Sequence, residues 1–124
     1  MNLNQVTVLV SDVERSIIFY EKLGLRLIVK ALPDYARFEC PEGGSTFSLH
    51  QADGPTGVSG PWLYFETQDL DETVKKLTDQ GIFFEELPHD KPWLWREARL
   101  KDPDNNQLIL YFAGKNRKDP PWKL

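Results

Sequence analysis

Apolar residues recur at helical spacing in two stretches of the chain, as Val13, Ile17, Tyr20 and Leu23 in the first and as Leu70, Val74 and Leu77 in the second. The stretches read "VSDVERSIIFYEKLGL" over residues 10–25 and "TQDLDETVKKLTDQGI" over 67–82. Set over one another at an offset of 57, they align Asp12 with Asp69, Glu14 with Asp71, Ser16 with Thr73, Ile17 with Val74, Gly24 with Gly81 and Leu25 with Ile82. The two identities occupy the start and the stop of one kind of element, a helix opened by an acidic cap and closed by glycine. The match is therefore a structural repeat, and the apolar stripes are core faces.

Around each helix the pattern changes to short runs rich in β-branched and aromatic residues. "LNQVTVLV" precedes the first helix and "WLYFET" the second. "LRLIVK", "YARFEC" and "TFSLHQ" follow the first; "IFFEEL", "WLWREARL" and "QLILYF" follow the second, with "PDY", "PEGG", "PHDKP" and "DPDNN" as turns between strands. The order is βαβββ twice. The expected organisation is one domain over 1–124, with module one at 1–52, a Gly/Pro-rich linker at 53–60, module two at 61–113 and a tail at 114–124. The fold class is α+β, tandem βαβββ modules forming a curved mixed sheet with a central cleft between the faces that the helices leave open.

Composition narrows the partners. A formal net charge of −4 and scattered basic residues give no stripe for nucleic acid. No run approaches the ~20 apolar residues of a membrane span, and the N-terminus has no signal-peptide pattern. A soluble cytoplasmic protein is the default expectation. Cys40 is the only cysteine, which excludes an internal disulfide and a cysteine-based zinc cluster; it reads as a small core residue.

"VTVLVSDVERSIIFYEKLG", "FETQDLDETVKKLTDQG" and "REARLKDPDNNQLILYF" together resemble the vicinal oxygen chelate superfamily, which includes glyoxalase I, extradiol dioxygenases and the fosfomycin and bleomycin resistance proteins. The resemblance runs from Leu3 to Phe112, and the Asp-Pro-Asp turn at 102–104 is its most specific element. It implies paired modules and a homodimer, and leaves function open, because enzymes and metal-free binders share the fold. Enzymes of the family hold a divalent metal with His, Gln or Glu from four strand positions, which correspond here to Gln5, Ser48, Trp62 and Ile109. Trp62 and Ile109 cannot ligate, and a catalytic metal needs about three N, O or S donors. No familial metal site and no cofactor are therefore expected. A relocated site through His50 and Glu97 is the weaker alternative.

Strand alternation adds the remaining lining. Gln5 and Thr7 share one face, as do Ser48 and His50; Trp62, Tyr64 and Glu66 share another, followed by Trp93, Trp95, Glu97 and Arg99, then Ile109 and Tyr111. Aromatic walls with a few polar groups suit a flat or extended organic molecule. Each element also has a plainer reading. The tryptophans fill a collapsed cleft, Trp93 falls outside its strand because of the flanking prolines, and Glu97 and Arg99 make structural ion pairs. His50 reads as a wall residue or a general base, and Glu97 as its acid/base counterpart. In the tail, "KNRKDPPWKL" either docks through Trp122, with Arg117 near the cleft mouth, or frays.

Two functions follow. The first is a metal-independent protein that binds a small organic molecule through Gln5, Thr7, Ser48, His50, Trp62, Tyr64, Trp95, Glu97, Arg99, Ile109 and Tyr111. The second is an enzyme of the lyase/isomerase type, related to glyoxalase I (lactoylglutathione lyase), or of the dioxygenase type, using His50, Glu97 and Arg99.

Overall fold

The computed structural model describes residues 1–57 and 59–124, so Val58 of the expected linker lies outside the described residues. The chain forms two compact units, one of Met1–Gly60 with Asp102–Asn106 and one of Pro61–Lys101 with Gln107–Leu124. Each holds one helix and a four-stranded mixed sheet, the α+β class that the repeat predicts.

In the first unit the elements are β1 (Gln5–Val10), α1 (Val13–Lys22), β2 (Arg26–Ala31), β3 (Tyr35–Glu39) and β4 (Thr46–Gln51). The sheet order is β1-β4-β3-β2, with β1 parallel to β4 and the other pairs antiparallel. The Asp12 side chain accepts from Arg15 N at 3.1 Å and starts α1. The helix stops at Leu23, and Gly24 follows at φ 100°, a left-handed conformation in which glycine carries no Cβ penalty. α1 packs Val13, Ile17 and Tyr20 onto β2, β3 and β4, where Tyr20 meets Phe47 at 4.7 Å and Phe38 at 6.1 Å between ring centroids.

The Asp-Pro-Asp turn at 102–106 is anchored inside this unit. Asp102 is buried, and its carboxylate accepts from Tyr20 Oη (2.7 Å), Asn106 Nδ2 (2.8 Å) and the backbone amides of Asp104 and Asn106 (2.9 Å each). Asp104 accepts from Ser11 N at 2.9 Å and Thr56 Oγ1 at 2.7 Å, with Arg15 at 3.4 Å. The turn also explains Gly57: a Cβ there would stand 2.1 Å from Asp104 O, and its φ is 71°. Burial pushes the Tyr20 phenol up, and the adjacent Asp102 charge pushes it further.

In the second unit the elements are β5 (Leu63–Glu66), α2 (Leu70–Asp79), β6 (Glu86–Asp90), β7 (Arg96–Lys101) and β8 (Gln107–Phe112), then a 3-10 turn, Gly114–Arg117. The order is β5-β8-β7-β6, with β5 parallel to β8. α2 buries Leu70, Val74 and Leu77 and packs on β6, β7 and β8; Gly81 repeats Gly24 at φ 92°. Asp69 precedes α2 as Asp12 precedes α1, but its side chain makes no capping bond.

Two strand boundaries differ from the sequence pattern. β6 lies at 86–90 rather than over "IFFEEL", because Ile82 and Phe84 bury in the loop after the helix and ladder pairing begins only where Glu85 N meets Arg99 O at 2.8 Å. Pro88 is tolerated because β6 is an edge strand. β7 starts at Arg96 rather than Trp93, because residues 91–95 close a turn through Lys91 N to Trp95 O (2.7 Å) and Leu94 N to Lys91 O (3.0 Å), with Leu94 at φ 67°. Cys40 is half-buried at the end of β3 rather than a core residue. None of the described helices is long and apolar enough to cross a membrane.

Candidate aromatic binding face

The sheet of the second unit has α2 on one face. Its other face carries the residues that alternation selects. Register places Tyr64 beside Ile109, Glu66 beside Tyr111, Glu97 beside Tyr111 and Arg99 beside Ile109. Trp95, just before β7, stacks on Tyr111 with centroids 4.7 Å apart and planes at 21°. Tyr64 meets both edge-on, at 5.9 Å from Trp95 and 5.5 Å from Tyr111. Each such contact contributes about 0.5–1.5 kcal/mol beyond area burial. Ile109 and Tyr111 are buried, Trp95 is partly buried, and Tyr64 and Trp62 remain exposed.

The charged groups on this face have distinct partners. Glu97 is 1% exposed, and Trp93 Nε1 donates to its Oε2 at 2.6 Å. Its other oxygen, Oε1, is buried and has no partner. Arg99 stacks on Trp62 at 4.9 Å and lies 3.1 Å from Glu86 Oε2, an ion pair out of line for a hydrogen bond from Nε. Glu66 Oε2 accepts from Ala113 N and Gly114 N at 2.9 and 3.0 Å, and Arg117 stands 3.8 Å from Glu66 Oε1. These contacts pin the start of the tail, whereas Trp122 is 57% exposed.

Tyrosine chemistry reports the same electrostatics. Burial and then the Glu97 charge push the Tyr64 phenol up, and Arg99 opposes them. Burial also raises Tyr111, helped by Glu66. A recess of about 410 Å³ at the end of this sheet is lined by residues including Trp95, Ala113, Phe112 and Asn116; it shares Trp95 with the aromatic cluster but does not reach Glu97.

In the first unit, Gln5 and Thr7 on β1 and His50 on β4 are exposed, whereas Ser48 is fully buried. Thr46 Oγ1 donates to Gln5 Oε1 at 2.8 Å, and His50 Nδ1 lies 2.9 Å from Gln51 O. Ser48 Oγ is 2.8 Å from Tyr35 Oη, which also accepts from Arg37 Nε at 2.8 Å. Burial works to raise the Tyr35 phenol, but the hydrogen bonds from Ser48 and Arg37 and the Arg37 charge bring it below its ordinary value. Sequence reasoning passed over Tyr35, Arg37, Glu86 and the Trp93 contact. Alternation along "YARFE" already puts Tyr35 and Arg37 on one face, whereas the Trp93 bond depends on a turn that no periodicity marks.

The chain belongs to the Glyoxalase/Bleomycin resistance protein/Dioxygenase superfamily, whose model matches residues 2–110. Among its relatives it is 31% identical to a probable trivalent organoarsenical cleaving enzyme of Bacillus subtilis (strain 168), over 90% of this chain and 80% of that protein. It is 30% identical to the uncharacterized protein YraH of the same organism, over 90% and 98%. A superfamily member from Sphaerobacter thermophilus DSM 20745 superposes with a TM-score of 0.75 at 28% identity, covering 90% of this chain and 97% of that one.

The residues present do not fit the divalent metal of the superfamily's enzymes. At its four positions stand Gln5, hydrogen-bonded to Thr46; Ser48, bonded to Tyr35; and Trp62 and Ile109, which have no donor atom to offer a metal. Among the described residues no three His, Cys, Asp or Glu side chains gather as a donor set.

Proposed function

We propose that the protein binds a small organic molecule on the aromatic face of its second sheet, without the family's metal. The observation that carries this reading is the ordered cluster of Trp95, Tyr111 and Tyr64 on the sheet that carries Ile109, in a chain with Trp62 and Ile109 at two of the positions where the resemblance puts metal donors. Flat rings in fixed stacked and edge-on contacts offer a preorganised apolar platform, and Glu97 and Arg99 supply orientation. Gln5, Thr7, Ser48 and His50 form a polar face on the first sheet, proposed as a further contact surface, and the active form is proposed to be a homodimer. Calorimetric titration with a naphthyl compound tests the reading: saturable binding weakened tenfold or more by Trp95→Ala supports it, and unchanged binding refutes it.

A second reading is favoured by the 31% identity to the probable organoarsenical cleaving enzyme. Here the protein is a lyase acting on a trivalent organoarsenical, with His50 and Glu97 as candidate acid/base groups. Turnover of a trivalent aryl arsenical by purified protein, abolished by both His50→Ala and Glu97→Gln, supports this reading against simple binding.

A further inference from the structure

We propose that the open face of the first sheet holds a carboxylate-binding site built on Arg37, with Tyr35 and Ser48 as the hydroxyl pair beside it. The site stands apart from the aromatic-face reading, since all of its residues lie in the first unit. Alternation along β3 turns Ala36 and Phe38 into the core on the α1 side, where Phe38 meets Tyr20, and leaves Tyr35 and Arg37 half-buried on the other face. Ladder register then sets Ser48 opposite Arg37 and His50 opposite Tyr35. The guanidinium is fixed from two sides: Nε donates to Tyr35 Oη at 2.8 Å, and Cζ lies 5.4 Å from the centroid of the Tyr35 ring. Both side chains are within reach of solvent, so a ligand can approach them.

The cluster has more donors than acceptors. Tyr35 Oη and Ser48 Oγ lie 2.8 Å apart; the two hydroxyls carry two hydrogens, and their mutual bond uses one. The other has no acceptor in hydrogen-bonding geometry among the described residues, and Gln5 Oε1 already accepts from Thr46 Oγ1 at 2.8 Å. Arg37 makes no ion pair among the described residues: Glu39, two residues along the same strand, is held by Arg26. Two Nη groups, one hydroxyl hydrogen and one positive charge are therefore left without a match. A carboxylate supplies it, with both oxygens taking the coplanar N–H pair and one of them the hydroxyl. A neutral amide brings no charge to meet the guanidinium. A phosphate dianion brings a second charge, for which the face offers no second unpaired arginine or lysine. The lowered Tyr35 phenol reports the same donor-rich field: burial works to raise it, but the bonds from Ser48, Arg37 and Gln5 and the Arg37 charge outweigh that.

The test titrates butyrate, butyramide and methyl phosphate into the full chain and follows backbone amide NMR shifts. None of the three has a ring to stack on the aromatic face. Butyrate is expected to bind at least tenfold more tightly than butyramide and more tightly than methyl phosphate, with its shifts centred on β3 and β4. Arg37→Met is expected to bring butyrate to within about twofold of butyramide, and Tyr35→Phe to weaken butyrate about threefold or more. Trp95→Ala is expected to leave butyrate binding unchanged, so the outcome here is separate from that of the aromatic face. Butyrate binding no tighter than butyramide overturns the site, as does a butyrate preference that survives in an Arg37→Met protein whose circular dichroism is native. Shifts centred on the second unit overturn its location, and tighter binding of methyl phosphate overturns the carboxylate assignment.

Discussion

Trp93 Nε1 donates to Glu97 Oε2 at 2.6 Å, a bond that joins the turn before β7 to a buried carboxylate within it. Trp93 is itself 42% exposed, and Lys91 lies over its ring at 5.6 Å. Trp93→Phe keeps most of the ring and removes the donor. Leaving a buried carboxylate oxygen unpaired costs about 1.5–3 kcal/mol. Urea unfolding is expected to show that loss, and an unchanged midpoint would mean that solvent replaces the indole.

A second consequence concerns the 102–106 turn. Tyr20 is fully buried and its hydroxyl is one of four donors to Asp102, so Tyr20→Phe leaves the packing intact and deletes one bond. A loss of about 1–3 kcal/mol is expected in chemical denaturation. Asp102→Ala removes the acceptor of all four bonds and is expected to cost more than Tyr20→Phe.

Acid sensitivity follows from Asp104. Burial works to raise its pKa, but the Ser11 and Thr56 hydrogen bonds and the Arg15 charge bring the folded value below the ordinary carboxylate range. A carboxyl depressed in the folded state contributes stability above its unfolded pKa, and that contribution is lost as pH falls through the folded value. Unfolding free energy measured from neutral pH downward is thus expected to decline below about pH 4. In Asp104→Asn the decline should be shallower, and an unaltered slope would remove Asp104 from the acid response.

Tyr35 gives a spectroscopic handle on the first sheet. With Arg37 Nε and Ser48 Oγ each 2.8 Å from its hydroxyl, its phenol ionises below the ordinary tyrosine range, whereas Tyr20, Tyr64 and Tyr111 ionise above theirs. Absorbance titration near 295 nm is expected to resolve one early tyrosine. Arg37→Met should return it to the ordinary range; persistence of the early titration would assign it to another group.

Much of this architecture was legible in the chain. The Asp12/Asp69 and Gly24/Gly81 pairs located both helices; the left-handed glycine stops are local chemistry in each, whereas only Asp12 caps its helix through the side chain. Short runs rich in apolar and β-forming residues between turn signals placed β4 and β8 at Thr46–Gln51 and Gln107–Phe112; both are central strands, which bury residues on both faces. The edge strand β6 was misplaced: Ile82 and Phe84 alternate like a strand while serving as loop residues packed into the core. Which residues share the aromatic face was readable from alternation, but who bonds whom was not. The Glu97–Trp93 bond depends on Leu94 at φ 67°, and the Arg99 partnership with Glu86 depends on the shifted register of β6.

The central claim is that the face built on Trp95 binds an organic molecule without a metal. The most direct measurement is calorimetric titration of 2-naphthalenemethanol into wild-type and Trp95→Ala protein, with and without a strong chelator. Saturable one-site binding that the chelator leaves unchanged and Trp95→Ala weakens tenfold or more is the predicted result. Binding that disappears with the chelator, or that Trp95→Ala leaves intact, would contradict the account.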